Sequence, residues 1–410
     1  METLTRLALS IGAAALFAAC GGTQPPIGAS GAMLQSRAVA QHAAHDKYTE
    51  LYSFKGRPAD GADPAAALLN LDGKVYGTTD YGGRYRCSEK GCGTVFSVTP
   101  SGAEALLHSF EAKLSNSAYP NGLIDVNGTL YGSFQGAPDG CGSIFAITPA
   151  GKLTVLHTFT CGSDGRSPRG ELLNVNGTLY GTTFQGGAKY NGSVFAITTA
   201  GKLRTLYSFK GNAHHHTDGA NPWGGLINVS GILYGTTCYG GSYGSAYGAG
   251  TVFKITTSGK ETVLYTFPNG GSCPRGSLVN VNGVLYGTTL EGGSAGRRGF
   301  GTAFAITNSG REMWVHSFAG KPLDGAQPNA GLVNRNGILY GTTVKGGATD
   351  RGTLFAITTS GRESVLHDFI GGRRSGAFPK AALINVKDVL YGTTGGGGRN
   401  ILGTVFSFAP

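Results

Sequence analysis

The sequence predicts an all-β protein: a seven-bladed β-propeller of four-stranded antiparallel blades, its ring closed by the N-terminal strand joining the last blade. Three observations carry that expectation. The run LYGTT and its variants recur seven times, with the tyrosine at Tyr76, Tyr131, Tyr180, Tyr234, Tyr286, Tyr340 and Tyr391, spaced by 55, 49, 54, 52, 54 and 51 residues. A period in that range marks a propeller, solenoid or array rather than separate domains. Each unit holds four short runs rich in Val, Ile, Thr, Tyr and Phe, separated by tight-turn signals. The array opens on a run of the fourth kind, residues 50–54, and ends on one of the third, residues 403–408, so the first can complete the last.

In chain order, residues 1–20 read as an export signal: Arg6, an apolar run from Leu7 to Phe17, then Ala18-Ala19-Cys20. The apolar run is too short to span a bilayer as a stable helix. LFAAC followed by Gly21-Gly22 resembles a bacterial lipobox, in which Cys20 is lipidated, although Phe17 stands where leucine is usual. Ordinary cleavage near the same alanines is the other reading and leaves a secreted soluble protein. Residues 21–47 are Gly, Pro, Ala, Ser and Gln without a strand pattern, as in a flexible tether. Residues 48–410 are the propeller. The expected address is the bacterial cell envelope, with the membrane reached through a lipid anchor only.

In the repeat, strand a is of the GLINV type (Leu226 to Val229), strand b is LYGTT, strand c is of the GTVFAIT type (Gly250 to Thr256), and strand d is of the TVLHTF type (Thr154 to Phe159). Asn127-Gly128, Asn176-Gly177, Asn282-Gly283 and Asn336-Gly337 join a to b, the pairs that tolerate positive φ in two-residue hairpins. Glycine also punctuates the c-to-d turn, at Gly102, Gly151, Gly201, Gly259, Gly310 and Gly361. Such sheets cannot bury both faces alone, and radial closure leaves the fewest open edges. Phenylalanines that recur in every unit on strand c (Phe96 through Phe406) and strand d (Phe54 through Phe369) are expected to pack between blades.

The order of strands, with Gly-Gly after strand b (Gly186-Gly187, Gly240-Gly241, Gly292-Gly293, Gly346-Gly347), resembles the kelch propeller pattern. More specifically, LYGTT…GG…GTVFAIT resembles the bacterial choice-of-anchor tandem repeat GloVer-containing proteins, over about residues 48–410. Copy two, LYGSFQGA, departs from it at Ser133, Phe134 and Ala137. The resemblance implies a repeat domain displayed on the envelope by a variable anchor, and it implies no established activity.

If Cys20 carries lipid, six cysteines remain, an even number in an exported chain, which favours disulfides over metal ligation. All six fall on the face where the b-to-c and d-to-a connections emerge. Cys141 and Cys161 come out opposite when the hairpin folds at Gly151. Cys238 and Cys273 share an edge of blade four, and Cys87 and Cys92 share one loop.

That variable face also holds the aromatics the scaffold does not use. Trp223, Tyr239, Tyr243 and Tyr247 in blade four, with Tyr81 and Tyr85 in blade one, are the expected ligand-binding residues, because exposed rings bury area at low entropic cost. The alternative is that these rings pack their own loops. His214-His215-His216 is a contiguous run, whereas fixed metal sites gather separated ligands, so no metal or other cofactor is expected. Asp60, Asp164, Asp218 and Asp324 recur before strand a, either as turn formers or as a carboxylate ring at the channel mouth. GGSYG and GGSAG match G-x-S-x-G but open no helix, so no catalytic residue is assigned. Charged residues are 14% of the chain and the formal net charge is +10, but the cations are scattered rather than striped, which argues against nucleic acid. Trp223 and Trp314 alone are too few for a quinoprotein propeller.

The sequence therefore points to an envelope binding or scaffold protein that recognises a glycan or partner protein through the b–c/d–a loop face. Alternatives are a glycan hydrolase or lyase using Asp or His on that face, and a structural envelope protein without a ligand.

Overall fold

The computed structural model describes residues 47–410 except 88, 112–118, 137–139, 212–217, 242–247, 269–272 and 295–298. The signal, Cys20 and the tether lie outside the described residues, as do Tyr243, Tyr247 and the histidine run. No helix among the described residues is long and apolar enough to cross a membrane.

The described chain is all β, seven four-stranded antiparallel sheets arranged as a seven-bladed propeller. Blade 1 shows the pattern: strand a is Leu69–Leu71, b Lys74–Thr79, c Thr94–Val98 and d Glu104–Ser109, hydrogen-bonded in that order. Every c–d pairing carries a register shift, such as the one between Val95 and Phe96. A bulge at that place adds twist to the outer strand. The a strands of neighbouring blades run beside one another around the central channel.

The last blade is built from both ends of the chain. Strands Ile384–Val386, Val389–Thr394 and Thr404–Ala409 are completed by Lys47–Ser53, which pairs from Lys47 opposite Ala409 to Ser53 opposite Thr404. The Phe54 N–H continues the pairing by donating to the Gly403 carbonyl (3.0 Å).

Seven apolar clusters coincide with the seven blade boundaries. Between blades 3 and 4, Tyr180 and Phe209 pack against Leu226, Leu233, Phe253 and Ile255. At the closing boundary, Tyr391, Val405 and Phe54 meet Leu68, Val75, Phe96 and Val98. Strand b is buried along nearly its whole length because it is covered on both faces. Its glycine is required by that packing, since a Cβ at Gly235 would lie 2.6 Å from Phe253 Cζ and 2.8 Å from Leu226 Cδ2. The two threonines that follow divide the polar work. Thr79 Oγ1 shares a hydrogen bond with Thr94 Oγ1 (2.8 Å) within the blade, while Thr78 Oγ1 donates to the Asn121 carbonyl of the next (3.2 Å). At these positions buried hydroxyls are satisfied while they tie blades together, whereas Thr236 Oγ1 and Thr393 Oγ1 are buried without a partner.

The cysteines are joined as Cys87–Cys92, Cys141–Cys161 and Cys238–Cys273.

Candidate functional site: the channel mouth on the variable face

The d-to-a connections of all seven blades converge at one end of the channel, around a cavity of roughly 200 Å³. Three residues before the recurring leucine of strand a, the seven blades present Ala65, Pro120, Arg169, Trp223, Arg275, Asn329 and Lys380 to this mouth. Glu171 and, from b-to-c connections, Asp80 and Gln135 complete it. A column that is variable in an otherwise repetitive chain is where a radial array can place specificity.

Trp223 holds the blade-4 position and organises its neighbours. The Arg169 guanidinium stacks on its indole with Cζ 3.8 Å from the ring centroid, and that of Arg275 does so at 4.0 Å. Arg169 also covers Phe184 (4.1 Å), which meets Trp223 edge-on with centroids 5.1 Å apart. Stacking fixes each guanidinium plane and leaves its edge donors directed elsewhere. The Nε atoms of both arginines are buried without a hydrogen-bond partner. Among the described residues neither arginine has a carboxylate within 4.0 Å. Burial first, and then the neighbouring Arg275 charge, pull the Arg169 pKa down to about 10; burial likewise lowers that of Arg275. Both remain cationic at neutral pH.

The other side of the mouth is acidic and differently wired. Lys380 Nζ is paired with Asp63 (2.9 Å and 3.1 Å to its two oxygens). Asp80 stands beside this pair, and burial, then the charge of Asp63, push its carboxyl up to about 7. Burial also raises the Glu171 carboxyl, against a stabilising bond from the Ala67 backbone. Asn121 braces the floor, donating to Ser133 Oγ (2.7 Å) and the Pro168 carbonyl (2.8 Å) and accepting from Gln135 Nε2 (3.1 Å).

The four described aromatic residues singled out from sequence, Trp223, Tyr239, Tyr81 and Tyr85, do not form one patch. Trp223 is at the mouth but half-buried under the two guanidiniums, so it serves as their platform. Tyr239 is held opposite Ala220 in a two-residue ribbon beside the Cys238–Cys273 disulfide. Tyr81 belongs to a separate cavity between blades 7 and 1, edge-on to Tyr119 (6.0 Å) and under Lys90 (5.1 Å). Tyr85 is 42% exposed, in the same b-to-c loop and away from the mouth.

The recurring aspartates act as turn formers. Asp218 accepts from its own following Gly219 N–H (2.7 Å), from the Lys210 N–H (2.7 Å) and from the Tyr207 hydroxyl (2.8 Å). Asp60 does the same with Gly61, Lys55 and Tyr52. The mouth carboxyls are instead Asp80 and Glu171.

Fold and site together define a seven-bladed repeat propeller whose one variable end carries a cation-bearing mouth. The chain belongs to the Gloeobacter/Verrucomicrobia repeat family, whose signature matches residues 86–300 and 294–410. No curated protein matches the sequence. Among solved structures it is similar in fold to an oligogalacturonate lyase in complex with manganese (9% identity, TM-score 0.52, covering 88% of this chain and 92% of that one). It is also similar to a polysaccharide lyase, an ulvan lyase (11% identity, TM-score 0.50, 87% and 95%). At such identities the likeness describes the architecture alone.

Proposed function

We propose that this protein is an exported, envelope-displayed binding module whose mouth recognises an acidic glycan, one bearing uronate or sulfate groups. The observation that carries the reading is the pair of guanidiniums stacked on Trp223 with buried, unpartnered Nε atoms and, among the described residues, no carboxylate within 4.0 Å. Buried donors of that kind are costly to leave unmet, and a carboxylate or sulfate answers their fork geometry. Three disulfides support export, and the signal-like residues 1–20 with Cys20 support a lipid anchor. A partner protein presenting acidic side chains would use the same donors and is the outcome to distinguish.

A second reading, a glycan lyase or hydrolase, is favoured by one feature: a carboxyl held near neutrality, Asp80, inside a polar mouth. Binding of uronate-bearing, sulfated and neutral oligosaccharides across a salt series tests both readings. The module predicts saturable binding of acidic oligosaccharides only, persisting at 0.15 M salt, without product formation. Equal binding of neutral sugars overturns the charge-based reading, and turnover abolished by Asp80→Asn replaces the module with an enzyme.

A further inference from the structure

At each blade boundary the residue two before the recurring phenylalanine of strand d in one blade is placed to meet the residue six before that phenylalanine in the next. Three boundaries use a tyrosine against a glutamate: Tyr52 with Glu104 (3.4 Å), Tyr207 with Glu261, and Tyr265 with Glu312. His367 instead stacks on Tyr48, with centroids 4.1 Å apart and planes within 8°. By register, the counterparts of His108 and His157 are the apolar Leu153 and Leu203. The tyrosines donate to carboxylates, His108 Nδ1 is bonded to the Gly151 carbonyl (3.0 Å) and His157 Nε2 to Asp164 (3.2 Å), although Glu104 Oε1, Glu261 Oε1 and His367 Nε2 are also buried without a partner.

The boundary between blades 5 and 6 breaks the rule by setting His316 against Glu363, with Asp324 beside them. Where Tyr207 stands with Asp218 and Glu261, one hydroxyl proton serves two carboxylates. His316 brings an imidazole nitrogen to the same place, and its Nε2 and the Glu363 Oε1 are both buried with no hydrogen-bond partner. Asp324 is held rigidly by the Ala319 and Gly325 N–H groups (2.6 Å each). One ligand atom from each of the three residues lies within 4.8 Å of the others, the one such histidine–carboxylate grouping among the described residues.

We propose that His316, Asp324 and Glu363 form a divalent-cation site, outside the mouth and independent of its ligand, that takes Zn²⁺ and pins blade 5 to blade 6. One imidazole and two carboxylates on separated, braced positions form a three-ligand set that leaves a fourth position for water. Calcium, which takes six to eight oxygen ligands, is poorly served by it. Tetrahedral zinc with bonds of ~2.0–2.1 Å requires ligand atoms ~3.3 Å apart, a short contraction from the observed spread.

The test uses the full chain carrying His214→Ser, His215→Ser and His216→Ser, so that the histidine run does not compete. After chelation and removal of the chelator, zinc chloride is titrated by calorimetry, and bound metal is counted by mass spectrometry. The expected result is one zinc per chain and a higher melting temperature with zinc. Both are lost in His316→Tyr, which rebuilds the tyrosine–glutamate pair of the other boundaries and so keeps the fold; Glu363→Gln loses the zinc as well. Absence of zinc binding in this background, or one zinc retained by His316→Tyr, overturns the assignment.

Discussion

Replacing Phe54 by alanine probes how the ring is closed. Phe54 is fully buried, packs edge-on against Phe96 of blade 1 with centroids 5.0 Å apart, and belongs to the cluster that joins blade 7 to blade 1. Its counterpart Phe209 meets Phe253 at 5.1 Å within a boundary whose two blades are joined by continuous chain. Truncating a buried phenylalanine costs about 3–5 kcal/mol from lost transfer energy and the cavity left behind. That is a large share of the roughly 5–15 kcal/mol by which a domain is stable. Because the two sites are chemically alike, Phe54→Ala and Phe209→Ala should cost similar amounts in urea unfolding followed by circular dichroism, without reductant. Removal of residues up to Lys55 should cost more, because it also uncovers the edge of Thr404–Ala409. A Phe54→Ala loss under about 1 kcal/mol beside a full loss for Phe209→Ala, or an unchanged melting temperature after the truncation, would refute closure by the N-terminal strand.

Three further outcomes follow from the packing and the charges. Gly235→Ala drives a Cβ into Phe253 and Leu226 and should cost about 1–3 kcal/mol, partly recovered by Phe253→Leu; a neutral Gly235→Ala in thermal melts contradicts the packing role of that glycine. Replacing Cys238 and Cys273 by serine opens a loop with a separation of 35 residues and should cost roughly 4 kcal/mol, against roughly 2 for Cys87 and Cys92, separated by 5, and the reverse order in urea would contradict the loop-closure account. Burial, first among the causes, raises Glu104 to about 7 and Glu261 and Glu363 to about 8, so from the ordinary carboxyl value of 4.5 up to about pH 8 the folded chain keeps protons that the unfolded chain has already lost, and stability falls as pH rises. Below about 6.5 the lowered His108, His316 and His367 act in the opposite sense, because the unfolded chain then takes up protons the folded one refuses. The urea midpoint should therefore be higher at pH 6.5 than at pH 8.5, with a smaller difference in Glu261→Gln; a midpoint that rises with pH contradicts this.

The blades, their strand order and the closing strand were legible because each rests on residues that repeat: a tyrosine, a glycine and two threonines on strand b, a phenylalanine on c and another on d. Hairpin signals such as Asn176-Gly177 set the register, and the mismatched ends of the array identified the clasp. The mouth was not legible in the same way. Arg169, Arg275 and Lys380 are more than a hundred residues apart and look scattered along the chain, yet they occupy one column three residues before Leu172, Leu278 and Leu383. Aligning the seven units on that leucine would have found them. Trp223 was found as an available ring, but stacking by two cations is a property of the assembled circle, not of its loop. Tyr81 and Tyr85 share the variable face with Trp223 without sharing its cavity, because a loop face on a ring has several separate sectors.

Trp223 gives the most direct access to the central claim, that the cation-bearing mouth is a recognition site. In Trp314→Phe, Trp223 is the only tryptophan, and its emission can be followed while a polyuronate or sulfated oligosaccharide is titrated at 0.15 M salt. Saturable change in Trp223 emission is expected, weakened about 10-fold or more in Arg169→Ala and in Arg275→Ala, as loss of a charge-assisted hydrogen bond of ~1.5–3 kcal/mol requires. Binding that leaves Trp223 emission unchanged, or that both arginine variants preserve, would contradict the claim.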